Sequence, residues 1–356
     1  MPNIKSLNPV KTWLITGCVM ITVMVMIGGI TRLTDSGLSI TEWNVIKGTI
    51  PPLNEAQWEE AFDKYKQIPE YQLRHAHFTI SDFKWIYFWE YIHRLWGRLM
   101  GFVFFIPFVI FWRKGYFDAK LKKRGIWILL GGGAVGSLGW FMVSSGLSEN
   151  PDVSHYRLAI HLSAAFTLFC YVYWTYLIVK TRTKDLEPVD IFPISTKRIL
   201  LLGFSLLGLQ IIYGAFTAGL DAGTIYNTWP LMNGRIIPEN VAPFDSFWQN
   251  FTDHKDGVQF IHRNLALIVA GITLFLAYKL KTQGISGRSW FWISIIVIAQ
   301  VLLGIITLID ANSGDVSVFW GTLHQLGALL LLIQYLQVSF RMYAKPRISA
   351  HNRKVN

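Results

Sequence analysis

The sequence predicts an all-α integral membrane protein, with eight transmembrane helices in two pseudo-symmetric four-helix bundles and both termini inside. Three observations carry that expectation. Of 356 residues, 52% are hydrophobic and 15% charged, whereas soluble domains carry about a quarter charged residues. Eight apolar runs are long enough to cross about 30 Å of hydrocarbon. One pattern of residues then occurs twice, in the same order, once in each half of the chain.

The runs lie near 11–30, 88–112, 125–146, 156–179, 198–219, 258–280, 289–310 and 319–342. They are continuously apolar, so the alternation of a β-barrel strand is excluded. With the N-terminus inside, the inner segments are 1–12, 113–124, 180–198, 279–288 and 341–356. These hold 21 of the 33 Lys and Arg, but only Asp118, Asp185, Glu187 and Asp190 of the 22 acids. That bias sets the orientation. The high pI therefore needs no nucleic acid; the basic loops meet anionic lipid headgroups. The first span is too long for a signal peptide, and no transit peptide precedes it, which points to a bacterial inner membrane and a multi-pass protein. Cys18 and Cys170 both fall inside spans, so no outer disulfide is expected.

After the first span come Gly28-Gly29, Thr31, Asp35, Trp43, Gly48 and Pro51. After the fifth come Gly214-Ala215, Thr217, Asp221, Trp229, Gly234 and Pro238. The Asp-to-Trp and Trp-to-Gly intervals are the same in both copies. The chain thus divides into an N-terminal half, 1–190, and a C-terminal half, 191–356, with a junction near 180–197. In the first outer loop, Asn54 opens an amphipathic helix whose Trp58, Phe62 and Tyr65 share one face. It suits the membrane surface or the top of the bundle. The third helix of each half carries Leu-Gly, at Leu138-Gly139 and Leu303-Gly304. Small residues nearby (Gly131 to Gly133, Gly136, Ala159, Ala164, Ala165) serve either close helix approach or a flat ligand between helices.

The chemistry centres on Glu90-Tyr91-Ile92-His93-Arg94 and its second copy, Gln259-Phe260-Ile261-His262-Arg263. Residues three apart share a helix face. Of nine histidines, His93, His161, His262 and His324 lie within predicted spans, near the outer side, at matched repeat positions. A lone intramembrane histidine is usually a hydrogen-bonded packing residue. Four in register point to ligation. Two neutral imidazoles on facing helices can hold one haem iron axially. Zinc or copper would want a third or fourth protein ligand, and each half offers two matched histidines.

Further motifs complete the pattern: Gly-Gly-x-Thr-Arg-Leu-Thr-x-Ser-Gly-Leu-Ser at 28–39, Leu-Gly-Trp-Phe-Met-Val at 138–143, His-Tyr-Arg-Leu-Ala-x-His-Leu at 155–162, Thr-Ala-Gly-Leu-Asp-Ala-Gly at 217–223 and Asn-Thr-Trp-Pro-Leu-Met-Asn-Gly at 227–234. Together with 90–94 they closely resemble the haem A synthase family, over nearly the whole chain. That resemblance implies oxidation of a methyl group of haem O to formyl, giving haem A for cytochrome c oxidase. It implies His93 and His161 as ligands of the haem O substrate, and His262 and His324 as ligands of a resident haem b that passes electrons. Glu90 matches the family's acidic residue beside the first histidine. The chain lacks the loop cysteine pair that some members carry near the positions of Val45–Ile46 and Met232. It also lacks a glutamine before the first Leu-Gly, whereas Gln300 precedes the second.

Independently, Glu90 and Gln259 differ where chemistry would differ. Glu can act as base or stabilise positive charge; Gln cannot. Catalysis is therefore assigned to Glu90 in the first half. A structural partnership of Glu90 with Arg94 is the competing reading, and a di-haem electron carrier or a haem transporter are the competing functions. Arg32, Arg94, Arg98, Arg157, Arg235 and Arg263 are candidate propionate partners. Haem O, membrane lipid, a haem O synthase (farnesyltransferase) and an electron acceptor are the expected partners, with homo-oligomerisation left open.

Overall fold

The computed structural model describes residues 6–42, 47–147, 152–182, 192–311 and 314–343. The boundary expected at 190/191, Trp43, Val45–Ile46 and the tail histidine His351 lie outside the described residues. Eight helices are long and apolar enough to span a membrane: α1 (Asn8–Leu33), α3 (Ile80–Arg113), α4 (Ala119–Val143), α5 (His155–Arg182), α6 (Ile194–Gly219), α8 (Lys255–Thr282), α9 (Ser289–Asp310) and α10 (Val318–Tyr343). Two short helices lie in the long connections between spans, α2 (Glu55–Tyr65) between α1 and α3 and α7 (Phe247–Thr252) between α6 and α8. No β-strand forms among the described residues.

Local signals set the helix ends. Asn54 accepts from Gln57 N at 3.0 Å to start α2, and Asp118 accepts from Leu121 N at 2.7 Å to start α4. Thr79 and Asp82 form a reciprocal capping box at the head of α3. This box starts α3 at Ile80 rather than near residue 88. The added turns stand above the apolar run and carry Phe83 and Ile86 into a separate apolar cluster with Leu38, Phe62 and Tyr65. The amphipathic face of α2 is thus docked on the bundle top: Trp58 meets Phe83 and Tyr87 edge-on, and Phe62 stacks on Phe83 at 5.0 Å.

In that cap, Tyr65 Oη lies 2.6 Å from His75 Nδ1 and donates to Glu70 Oε2 at 3.0 Å. All three residues are buried. Burial pushes the Glu70 carboxyl up to about 8, against the pull of the Tyr65 hydroxyl. Burial likewise lowers His75.

Helix packing is most extensive for α6 with α8, α9 with α10, α8 with α9, α4 with α5, and α1 with α3. Helices α1, α5 and α10 are among the most enclosed, and join through α1–α5, α1–α10 and α5–α10 contacts. With lipid as solvent, association rests on close packing. Trp13 and Trp96 donate to Val103 O and Met20 O, at 3.0 and 2.9 Å, stitching α1 to α3. Small residues divide into two groups. Gly131 packs on Leu168 and Ala159 is buried. Gly132, Gly133 and Gly136 have nothing within 4 Å of where a Cβ would be, so they do not serve close helix approach. Helices α8 and α9 pack along each other, whereas α3 and α4 touch far less.

Candidate functional site: four histidines against four glycines

Each of the four intramembrane histidines faces a glycine on a neighbouring helix. A Cβ on Gly28 of α1 would lie 3.3 Å from His93 Nε2, and one on Gly139 of α4 would lie 3.0 Å from His161 Cε1. The same relation recurs for Gly214 of α6 with His262 Cε1, at 3.3 Å, and Gly304 of α9 with His324 Cε1, at 2.9 Å. The glycines that recur as repeat elements in the sequence therefore serve a shared purpose. Each admits an imidazole ring against the helix backbone.

The rings of His262 and His324 lie edge-on to each other, with centres 6.4 Å apart and planes at 85°. An iron bound by both imidazole nitrogens at about 2 Å requires ring centres roughly 6 Å apart. This pair fits that requirement. Among the described residues, no group of three or more His, Cys, Asp and Glu could hold a bare metal ion. Paired imidazoles suit a metal that brings its own equatorial donors.

Glu90 is 2% exposed and fully engaged. Its Oε2 accepts from Ser39 Oγ and from Ile40 N, both at 2.7 Å, and its Oε1 accepts from Arg94 Nη2 at 2.5 Å. Arg94 also donates to Ile40 O and Glu42 O, at 2.9 Å each. The second copy is built the same way. Gln259 Nε2 donates to Tyr226 O at 3.5 Å, and Arg263 donates to the carbonyls of Thr228 (2.8 Å) and Pro230 (3.2 Å). In both copies the residues flanking the histidine hold the preceding interhelical loop against the helix. The partnership of Glu90 with Arg94 is thus present. Ser39, the hydroxyl on Glu90, closes the 28–39 motif of the sequence, but nothing in residue type or spacing ties it to Glu90.

The arginines named for propionates are largely engaged by protein groups. Arg32 bonds Asp221 at 2.6 Å, Asp35 at 3.2 Å and Ala218 O at 2.7 Å, tying α1 to the start of the connection between α6 and α8. Asp35 and Asp221 occupy matched repeat positions, and both adopt positive φ, 47° and 52°. Arg157 donates to Phe141 O at 2.8 Å, and Arg235 pairs with Glu239. Cys18 and Cys170 are not joined in a disulfide.

A family model described as cytochrome oxidase assembly protein (COX15-CtaA) matches residues 11–336. The chain belongs to this family. A relative named heme A synthase from Flavobacterium psychrophilum is 45% identical over 341 residues, covering 93% of this chain and 96% of the relative. Heme A synthases of Flavobacterium johnsoniae and Rhodospirillum centenum are 43% and 42% identical, over 92% and 90% of this chain. As a member of the cytochrome oxidase assembly family with eight spanning helices, the chain is a multi-pass inner-membrane protein.

Proposed function

We propose that this protein oxidises a porphyrin methyl group of haem O to formyl by successive hydroxylations, a four-electron oxidation that takes its oxygen from water and would send its electrons through a haem b in the C-terminal half to an external acceptor. The family places the chain in haem A biosynthesis as an oxidoreductase. Haem O is the substrate, held by His93 and His161. His262 and His324 would hold the haem b, which would supply a one-electron ferric/ferrous couple. The observation that carries this assignment is the edge-on ring pair at 6.4 Å. The four glycine-backed imidazoles at repeat positions extend it to the first half.

Glu90 sits three residues before His93 with its carboxylate held in place by Ser39, Ile40 and Arg94. It supplies fixed negative charge where positive charge develops on the substrate carbon. Gln259 lacks that charge, so the second half stores and passes electrons. The bias of Lys and Arg toward alternate loops supports an orientation with both termini inside, in which all four imidazoles would lie toward the outer face.

Extracted pigment tests the reading. Purified protein is expected to yield haem b together with haem O or haem A. Haem b alone would instead support a di-haem carrier. Glu90→Gln is expected to bind both haems and form haem A slowly; haem A formation at the normal rate removes Glu90 from the chemistry.

A further inference from the structure

The four histidines share a glycine backing but not a polar partner. Gln210 lies one helical turn before Gly214, and Gln300 one turn before Gly304. Gln210 Nε2 is 3.0 Å from His262 Nδ1 and donates to His262 O at 3.0 Å. Gln300 Nε2 is 3.2 Å from His324 Nδ1 and donates to His324 O at 3.0 Å. Both C-terminal imidazoles are therefore held by an amide from the helix that also carries the facing glycine.

The N-terminal half has Met24 before Gly28 and Val135 before Gly139. Met24 packs toward Gly97 on α3. His161 Nδ1 is buried without a hydrogen bond of normal geometry, and Val135 brings only its backbone near it. No side-chain amide or carboxylate stands at either position.

We propose that Gln210 and Gln300 are positioning residues that lock His262 and His324 and make the C-terminal site a resident haem site, whereas the first half holds its haem exchangeably. The proposal rests on the haem b assignment above. An amide suits this role because it can meet Nδ1 as donor or acceptor. Its Nε2 donates to a bare Nδ1. With the amide turned about its Cγ–Cδ bond, at the expense of its bond to the histidine carbonyl, its Oε1 accepts from the Nδ1–H of an imidazole whose Nε2 is bound to metal. In both glutamines Oε1 is buried and has no partner among the described residues, and a buried acceptor left unmet costs about 1–3 kcal/mol. Metal-bound histidines commonly give their second nitrogen's proton to such a group, which fixes the ring and raises ligand basicity. Greater basicity favours ferric iron and so lowers the midpoint potential.

The test is a redox titration of the purified, haem-loaded protein, followed by its low-spin absorption bands. Gln210→Leu and Gln300→Leu are expected to raise the C-terminal potential, by about tenfold in the ferric-to-ferrous ratio, equivalent to about 59 mV for one electron. They also release haem b on washing more readily than the parent. Gln210→Glu and Gln300→Glu are expected to shift the potential the other way, and they decide the matter if the leucine variants do not accumulate. Val135→Gln is expected to slow loss of the haem held in the first half. Unchanged potentials in all four C-terminal variants overturn the proposal and leave the haem assignment standing. A C-terminal haem spectrum that survives His262→Ala and His324→Ala overturns the haem assignment itself.

Discussion

The two histidine-bearing halves solve one geometric problem with different chemistry around it. In both, a ring enters a membrane bundle against a glycine, and the residues flanking the first histidine hold the preceding interhelical loop in place. They differ in what reaches the ring and what closes the bundle. The C-terminal half has two glutamines on Nδ1 and a close α8–α9 seam. The N-terminal half has Met24, Val135 and a loose α3–α4 seam. A charged pair, Glu90 with Arg94, replaces the neutral Gln259 beside Arg263. On the function proposed above, rigid supports would suit a half that keeps its ligand, and room would suit one that turns over a substrate. Repetition sets the frame, and departures from repetition mark the chemistry.

The largest expected effect tests the loop anchors. Glu90→Ala removes the carboxylate from a buried ion pair and should destabilise the connection between α1 and α3 by about 3–5 kcal/mol. Gln259→Ala removes one long neutral hydrogen bond and should cost about 1 kcal/mol. Limited proteolysis of the 36–42 and 226–231 segments measures both; equal protection in the two variants would dissolve the contrast. The glycine backing comes next. Gly304→Ala and Gly139→Ala place a methyl at the tightest distances from a ring that the four sites show, 2.9 and 3.0 Å. They should cost about 1–3 kcal/mol and lower haem content more than Gly28→Ala or Gly214→Ala, at 3.3 Å. Haem-to-protein ratio after purification ranks the four.

The smallest effect lies in the cap over the first half. The folded Glu70 carboxyl titrates near 8, above its ordinary value of 4.5. The native cap therefore keeps a proton that the unfolded chain releases, and this group's contribution falls as pH rises from about 4.5 to about 8. Hydrogen exchange across residues 60–80 should quicken over that window beyond its ordinary pH dependence. Glu70→Gln should remove the excess. An unchanged profile would mean that Glu70 is already ionised in the folded cap.

Much of this was legible in the residues. Membrane class, the eight spans, the docked helix α2 and the four histidines follow from apolar run length, amphipathic spacing and an internal repeat, because lipid demands continuous helices and because period reveals faces. Less legible were the start of α3, which a capping box moved to Ile80, and the open surroundings of Gly132, Gly133 and Gly136, since composition does not say which neighbour a small residue meets. Glu90 illustrates the boundary. Its difference from Gln259 is written in the chain, but Ser39 and the Ile40 amide that fix it arrive from a loop some 50 residues away. Gln210 likewise looks like any polar residue in an apolar helix until the fold brings it to His262, 52 residues on. The sequence alone determined which residues could ligate, because residue type and period are local properties. Only the tertiary structure decided which of them are held rigidly and by what, because hydrogen bonds between helices depend on how distant segments pack.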